Sequence, residues 1–314
     1  MLHFLRAQVA DAVITHAEPT IHADLIRLLS RPGYALHPEG TCRAGLFALE
    51  VYRSARGRYD STGLVAAAAV ELQMQSASVF DEVADGDACD SRAEDLALAI
   101  ALFTAGTAAA AEATSGLPGG ASAMRHFCVA TSGACAGQFL DARLGRRGGA
   151  TYEEALHMTR LKSGSLGAFA AGFAARLAGI DPGLSSVFES LGFNLFTCAQ
   201  LVDDQRDACA PGERCDLARS KATLPVVYFV RQTSLEPAAA SDGTLSPKSR
   251  DAYQSSGAPI YAAVLSLAYM GRARADLRSL AERGCATTSL EAFVGRVESE
   301  AALTLCALGS GVVV

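Results

Sequence analysis

Ala69-Val70-Glu71-Leu72-Gln73-Met74-Gln75-Ser76-Ala77-Ser78-Val79-Phe80-Asp81-Glu82-Val83-Ala84-Asp85 is the stretch on which the reading of this chain turns. It prolongs an apolar run that starts at Leu64, and it ends on two acids four residues apart. On a helix such residues share a face, so Asp81 and Asp85 point the same way. Like charges at that spacing repel, and they cost stability unless a cation offsets them. A second set, Asp203-Asp204-Gln205-Arg206-Asp207, repeats the pattern with Asp203 and Asp207. Carboxylates suit hard divalent ions, and Mg2+ beside a phosphate-bearing ligand needs only one or two of them per ion. Two such faces opposed across a cavity would hold a diphosphate between several Mg2+ ions. The metal candidates are therefore Asp81, Glu82, Asp85, Asp203, Asp204 and Asp207.

Outward from these sets, nearly every long segment reads as helix, because Ala and Leu dominate and β-branched alternation is scarce. Breaks are expected at Arg31-Pro32-Gly33, at residues 37–40 and 115–120, from Gly145 to Gly149, at Asp181-Pro182-Gly183, and from Ala208 to Arg214. The polar stretch 235–259, with Pro237, Pro247 and Pro259, is expected to be a mobile surface excursion. The two acidic faces fall on separate long helices. The expected architecture is all-α: one large domain over residues 1–314, with its site between facing helices.

Composition removes several classes of function. The formal net charge is −6 and no basic stripe occurs, so nucleic acid is not an expected partner. Nine cysteines without a CxxC argue against a disulfide framework and a zinc knuckle, and fit reduced thiols in the cytoplasm. Arg6, Asp11 and His16 interrupt the first apolar stretch, so no signal peptide is read there. The most apolar segment, Leu96 to Ala111, is short for a membrane span and contains Thr104, Gly106 and Thr107. It is expected to be a buried core helix, with no stable membrane insertion. Glu154-Ala155-Leu156-His157 matches half of a di-iron motif, but no second ExxH accompanies it, so a solvated helix face is the reading.

Five segments resemble the trans-isoprenyl diphosphate synthases, also called polyprenyl synthetases. The stretch from Ala69 to Asp85 is similar to A-V-E-L-x-H-x-A-x-L-x-H-D-D-x-x-D, and Gly192 to Asp207 is similar to G-x-x-F-Q-x-x-D-D-x-x-D. Asp216-Leu217-Ala218-Arg219-Ser220-Lys221-Ala222-Thr223-Leu224-Pro225 resembles D-L-x-x-G-K-x-T-L-P. Gly137-Gln138-Phe139-Leu140-Asp141 resembles G-Q-x-x-D, and Leu161-Lys162-Ser163-Gly164-Ser165-Leu166 resembles the K-T-G-x-L segment. The resemblance implies an isoprenoid-synthase helical bundle with a central cavity, three Mg2+ ions, an allylic prenyl diphosphate substrate and a homodimer. It implies that Lys162 and Lys221 neutralise the leaving diphosphate and that Gln138 and Gln200 donate at the cavity rim.

The departures matter as much. The family binds isopentenyl diphosphate through a G-K-x-x-R, a His before the first acidic set and an R-R after it. Here Glu39-Gly40-Thr41-Cys42-Arg43 keeps only Arg43, Met74 takes the His position, and Asp90-Ser91 take the paired arginines, with Arg92 one residue late. A diphosphate needs several charge-assisted bonds in one place. The resulting expectation is a lyase, a terpene cyclase that ionises geranylgeranyl or farnesyl diphosphate and captures the cation internally. Ser76 and Ala77, small and one turn before the acids, favour a long substrate. Phe80, Phe139, Phe193 and Phe196 are candidates to face a cation. The alternatives are a prenyltransferase, using isopentenyl diphosphate or another acceptor, and a non-catalytic subunit of a synthase.

Overall fold

The computed structural model describes residues 1–86, 91–210, 215–235 and 245–310, with side chains as far as Thr304. Among them no strand occurs, as the Ala- and Leu-rich composition requires. The helices are α1 (Leu2–His16), α2 (His22–Leu29), α3 (Arg43–Arg56), α4 (Ser61–Asp85), α5 (Arg92–Thr114), α6 (Gly120–Arg147), α7 (Tyr152–Thr159), α8 (Ser165–Leu177), α9 (Pro182–Asp207), α10 (Leu224–Thr233), α11 (Pro247–Ser255), α12 (Ala258–Glu282) and α13 (Thr288–Ser310).

Three expectations change. α6 runs through Gly145 to Arg147, because one glycine costs a helix only about 1 kcal/mol and does not stop one of 28 residues. Arg147 then makes a two-pronged ion pair with Glu154 at 2.9 and 2.6 Å, while Glu154 also closes a capping box with Thr151. In the polar stretch 235–259, residues 236–244 lie outside the described residues, but 247–255 is helix α11. Ser246 caps it, Pro247 opens it, and Tyr253 buries itself. That Ser-Pro start was legible beneath the polar composition. Lastly, α5 buries one face only, since Leu96 and Ile100 are exposed. Among the described residues it is the one helix long and apolar enough to cross a membrane.

The chain, expected as one domain, gathers into two compact units, each built from separated stretches. The first comprises Met1–Ala130, Ala168–Glu189 and Arg278–Leu290; the second comprises Thr131–Gly167, Ser190–Leu277 and Glu291–Val314.

In the first unit α4 packs along α5 and against α3. Gly106 lets α4 and α5 close up, because a Cβ there would stand 3.0 Å from the Ala69 carbonyl oxygen. Polar ties cross the same seam: Gln73 Nε2 donates to the Phe103 carbonyl at 2.9 Å, and Ser76 Oγ donates to the Ala99 carbonyl at 2.8 Å. On the side of α4 toward α3, the carboxylate of Glu71 is almost fully buried. It accepts from Gly45 N at 2.8 Å, from the Ala44 N–H and from Gln75 Nε2 at 2.6 Å. Cys42, the N-cap of α3, makes no side-chain cap bond, so Glu71 caps α3 from a neighbouring helix. Burial nevertheless pushes its carboxyl above the usual range. Glu71→Ala should strand two helix N–H groups and the Gln75 amide, costing about 2–4 kcal/mol. Urea unfolding checks this, and a loss under about 1 kcal/mol would show that water replaces the cap.

Candidate functional site

In the first unit, α4 brings Asp81 and Asp85 onto one face, both partly exposed. Met74 and Ala77 lie up the same face, seven and four residues earlier, so the small Ala77 does precede the acids along the helix. Ser76 does not join them. It is buried, and its hydroxyl is committed to Ala99 in the α4–α5 seam. Phe80 is half-buried beside Asp81. Glu82 is turned about a quarter-circle from Asp81. Nearby, the Tyr34 hydroxyl is buried with no hydrogen-bond partner among the described residues, and burial first, then the Glu82 charge, opposes its ionisation.

Arg43 is exposed at the first position of α3, and Asp90 lies outside the described residues. Ser91 caps α5 by accepting from Glu94 N. Arg92, one residue late in sequence, reaches back over the end of α4. A Cβ on Gly86 would stand 3.2 Å from its Nη2. There its charge lies at the negative end of the helix.

In the second unit, α9 repeats the arrangement. Asp203 is 43% exposed and pairs with Arg206 at 3.0 Å, and Asp207, four residues on, is partly exposed. Asp204 is turned inward and is 5% exposed. Its Oδ1 accepts from Gln200 Nε2 at 2.7 Å, while Gln200 Oε1 accepts from Ser163 Oγ at 2.6 Å. Its Oδ2 is sealed from solvent and has no hydrogen-bond partner among the described residues. Burial pushes this carboxyl well above the usual range; the Gln200 bond lowers it, and Asp216 and Asp203 raise it further. Sequence reasoning assigns all six acids to metal. The structure turns Asp204 inward onto Gln200 and leaves Asp81, Glu82, Asp85, Asp203 and Asp207 partly exposed.

Two lysines in the second unit are held by acids. Residues Arg160–Gly164 form a π-turn between α7 and α8, a rare form that concentrates at functional sites. It carries Lys162, whose Nζ lies 2.6 Å from Asp141 Oδ2 on α6. One turn earlier on α6, Gly137 lets the π-turn backbone approach, since a Cβ there would stand 2.2 Å from Lys162 N. Gln138, on the next residue, is half-buried. Lys221 follows α9 through a tight turn in which Lys221 N donates to Asp216 O at 3.0 Å and Asp216 N donates to Asp207 O at 2.9 Å. The Asp216 carboxylate accepts from Thr223 Oγ1 at 3.1 Å and stands 4.0 Å from Lys221 Nζ. Ser220 adopts a left-handed φ of 53°, where the resembling segment has Gly. Asp141 and Asp216 were quoted in the sequence segments but given no role; only the fold discloses their lysine partners. Of the phenylalanines, Phe139 is exposed, and Phe193 already carries the Arg160 guanidinium over its ring at 5.4 Å.

Among the described residues no three His, Cys, Asp or Glu side chains gather into a metal cage. The donor set on each outward face, two carboxylates at one-turn spacing, fits an ion that takes the rest of its shell from phosphate oxygens and water, as Mg2+ does.

Comparison with known proteins agrees with the all-helical fold. The polyprenyl synthetase family model matches residues 31–255. The decaprenyl-diphosphate synthase of Dictyostelium discoideum is 32% identical over 102 residues, 31% of this chain and 22% of that protein's length. Among solved structures, a geranylgeranyl pyrophosphate synthetase from Geoglobus acetivorans superposes with a TM-score of 0.78 at 19% identity, covering 96% of this chain and 95% of its own. A polyprenyl synthase from Caulobacter crescentus, complexed with calcium and isoprenyl diphosphate, superposes with a TM-score of 0.72 at 20% identity, covering 88% and 87%. These relatives are named for prenyl diphosphate synthesis, a transfer reaction, and this overturns the expectation of a lyase. That expectation counted cations position by position and judged Arg43 and Arg92 too few to hold a second diphosphate. The isoprenoid-synthase fold is confirmed, and the chain belongs to the polyprenyl synthetase family.

Proposed function

We propose that this chain is a Mg2+-dependent prenyltransferase that uses an allylic prenyl diphosphate as donor and extends it with isopentenyl diphosphate. The observation that carries the reading is the pair of acidic faces, each presenting two partly exposed carboxylates one turn apart. When bound, Mg2+ supplies positive charge to the diphosphate oxygens of the donor. The chain's own part is positional. Asp81, Asp85, Asp203 and Asp207 hold the ions. Lys162, steadied by Asp141, and Lys221, steadied by Asp216, bring positive charge to the departing diphosphate. Gln200 is committed to Asp204 and Ser163, so it orients the acidic helix. Gln138 and Arg43 remain substrate contacts in this reading, and Ala77 with Met74 bounds the prenyl chain. A homodimer in the cytoplasm completes it.

The test is incubation with geranyl, farnesyl or geranylgeranyl diphosphate and labelled isopentenyl diphosphate, followed by phosphatase and chromatography. Longer prenyl alcohols that vanish with a chelator are the expected result. The replaced cations at Met74 and Asp90 favour one second reading, transfer to an acceptor that carries no diphosphate. Prenylation of an added phenol, with no chain extension from any donor, would decide for it.

A further inference from the structure

We propose that Gln75 is a positioning residue: from α4 it holds the segment that precedes α3, and so fixes where Arg43 enters that helix relative to Asp81 and Asp85. This rests on the reading of Arg43 as a contact for isopentenyl diphosphate.

The segment, residues 30–42, holds no regular helix and is folded back on itself by turns. Leu36 N donates to Leu29 O at 2.8 Å, and Gly40 N donates to His37 O at 2.8 Å. Gly40 returns so close to the start of the segment that a Cβ there would stand 2.1 Å from Tyr34 O and 3.1 Å from Ala35 O. From α1, Arg6 donates to the carbonyls of Pro38 and Gly40. Ala35, 1% exposed, is the hub. Its N–H donates to Gln75 Oε1 at 3.2 Å, and its carbonyl accepts from Cys42 Sγ at 3.4 Å. Two hydrogen bonds therefore lead from α4 to the residue just before Arg43.

The same side chains of α4 close a bracket on the other side of Arg43. Gln75 Nε2 donates to Glu71 Oε1 at 2.6 Å, and Glu71 Oε2 accepts from Gly45 N at 2.8 Å. With its nitrogen committed to Glu71, the Gln75 amide presents its oxygen to Ala35 N. Both side chains are buried, whereas Arg43 is exposed. α4 thus grips the chain at residues 35 and 45 and leaves the arginine between them at the surface.

The backbone at Cys42 shows that this entry is held in place. Cys42 has φ 44° and ψ 47°, the left-handed region that a residue with a Cβ enters at a cost. Such a conformation persists where its surroundings over-determine it. Here they are the thiol bond to Ala35 and, behind it, the Ala35 bond to Gln75. Asp81 and Asp85 follow Gln75 by six and ten residues, about 9 and 15 Å along the same helix. One helix therefore sets both an acidic face and the start of α3. Met74 and Asp90 replace cations of the resembling family, so more of a second diphosphate's binding falls on Arg43.

The experiment is calorimetric titration with isopentenyl diphosphate in the presence of Mg2+ and, separately, with a non-reacting thio analogue of farnesyl diphosphate. Gln75→Met keeps the length of the side chain and removes both amide bonds. It should weaken isopentenyl diphosphate binding by about tenfold and leave the allylic analogue within about twofold of the parent. Gln73→Met is the control, because Gln73 is as well buried but its amide donates to Phe103 O on α5. It should lower stability to urea by a similar amount and leave both affinities within about twofold. Added to Arg43→Ala, Gln75→Met should weaken isopentenyl diphosphate binding by less than about twofold further, since it acts through the arginine. Gln75→Asn, too short to span Glu71 and Ala35, should show the same selective loss where Gln75→Met folds poorly. Unchanged isopentenyl diphosphate affinity in a folded Gln75 variant would overturn the proposal. An equal loss in Gln73→Met, or a full further loss on top of Arg43→Ala, would overturn it as well. Parental affinity in Arg43→Ala would instead remove the reading of Arg43 beneath it, whatever Gln75 does.

Discussion

Asp81→Ala should lower prenyl transfer by about a thousandfold, because loss of one ligand carboxylate withdraws several kcal/mol of charge stabilisation from the transition state. Its helix content should not fall. Asp81 is partly exposed on the outward face of α4, so the change leaves the core seam of Gln73, Ser76 and Gly106 intact. Alanine is the best helix former, and removing one of two like charges four apart relieves a repulsion of about 0.2–0.5 kcal/mol. The variant should therefore be inactive and at least as stable as its parent. Asp203→Ala should behave the same way, with loss of an exposed pair to Arg206 worth little. Transfer rates and circular dichroism measured together decide it. Activity within tenfold of the parent would remove Asp81 from the metal site, and a collapsed helical signal would make it a structural residue.

Gly137→Ala carries the other large effect, through packing. Its Cβ would stand 2.2 Å from Lys162 N and 2.5 Å from Lys162 Cα. Both are backbone atoms, so no side-chain rotation relieves the clash, and α6 or the π-turn must shift. Overpacking of this kind costs about 3 kcal/mol, or about 5 °C or more in Tm. The displaced π-turn should also break the 2.6 Å contact of Lys162 with Asp141 and reduce turnover well beyond the stability loss. Gly145→Ala is the control on the same helix: nothing lies within 4 Å of its Cβ, and alanine there should stabilise by up to about 1 kcal/mol. A thermal melt of Gly137→Ala that matches the parent would show that α6 and the π-turn slide freely past one another.

Most of the helical plan was legible, because Ala and Leu mark helices and Gly-Pro clusters mark breaks. α11 was missed for want of weight on Ser246-Pro247, a start signal set in a polar stretch. The outward acids were legible from spacing alone. The proximity of Tyr34 to Glu82 was not, since the two lie 48 positions apart and only folding brings them near. Gln200 and Asp204, four apart on one helix, were within reach of sequence reasoning and went unpaired. The lyase expectation failed for a related reason. It compared charge motif position by motif position and counted Arg92 as one residue late, whereas Arg92 brings its guanidinium to the end of α4, where a Cβ on Gly86 would stand 3.2 Å from its Nη2.

The interleaved make-up of the two units bears on synthesis. The first unit requires Arg278–Leu290 and the second requires Glu291 onward, so neither can close before those late stretches have been made. Helices form early and locally, but the long-range joins wait for these later stretches. Until then α4 and α5, neighbours in sequence, can cover their apolar faces against one another.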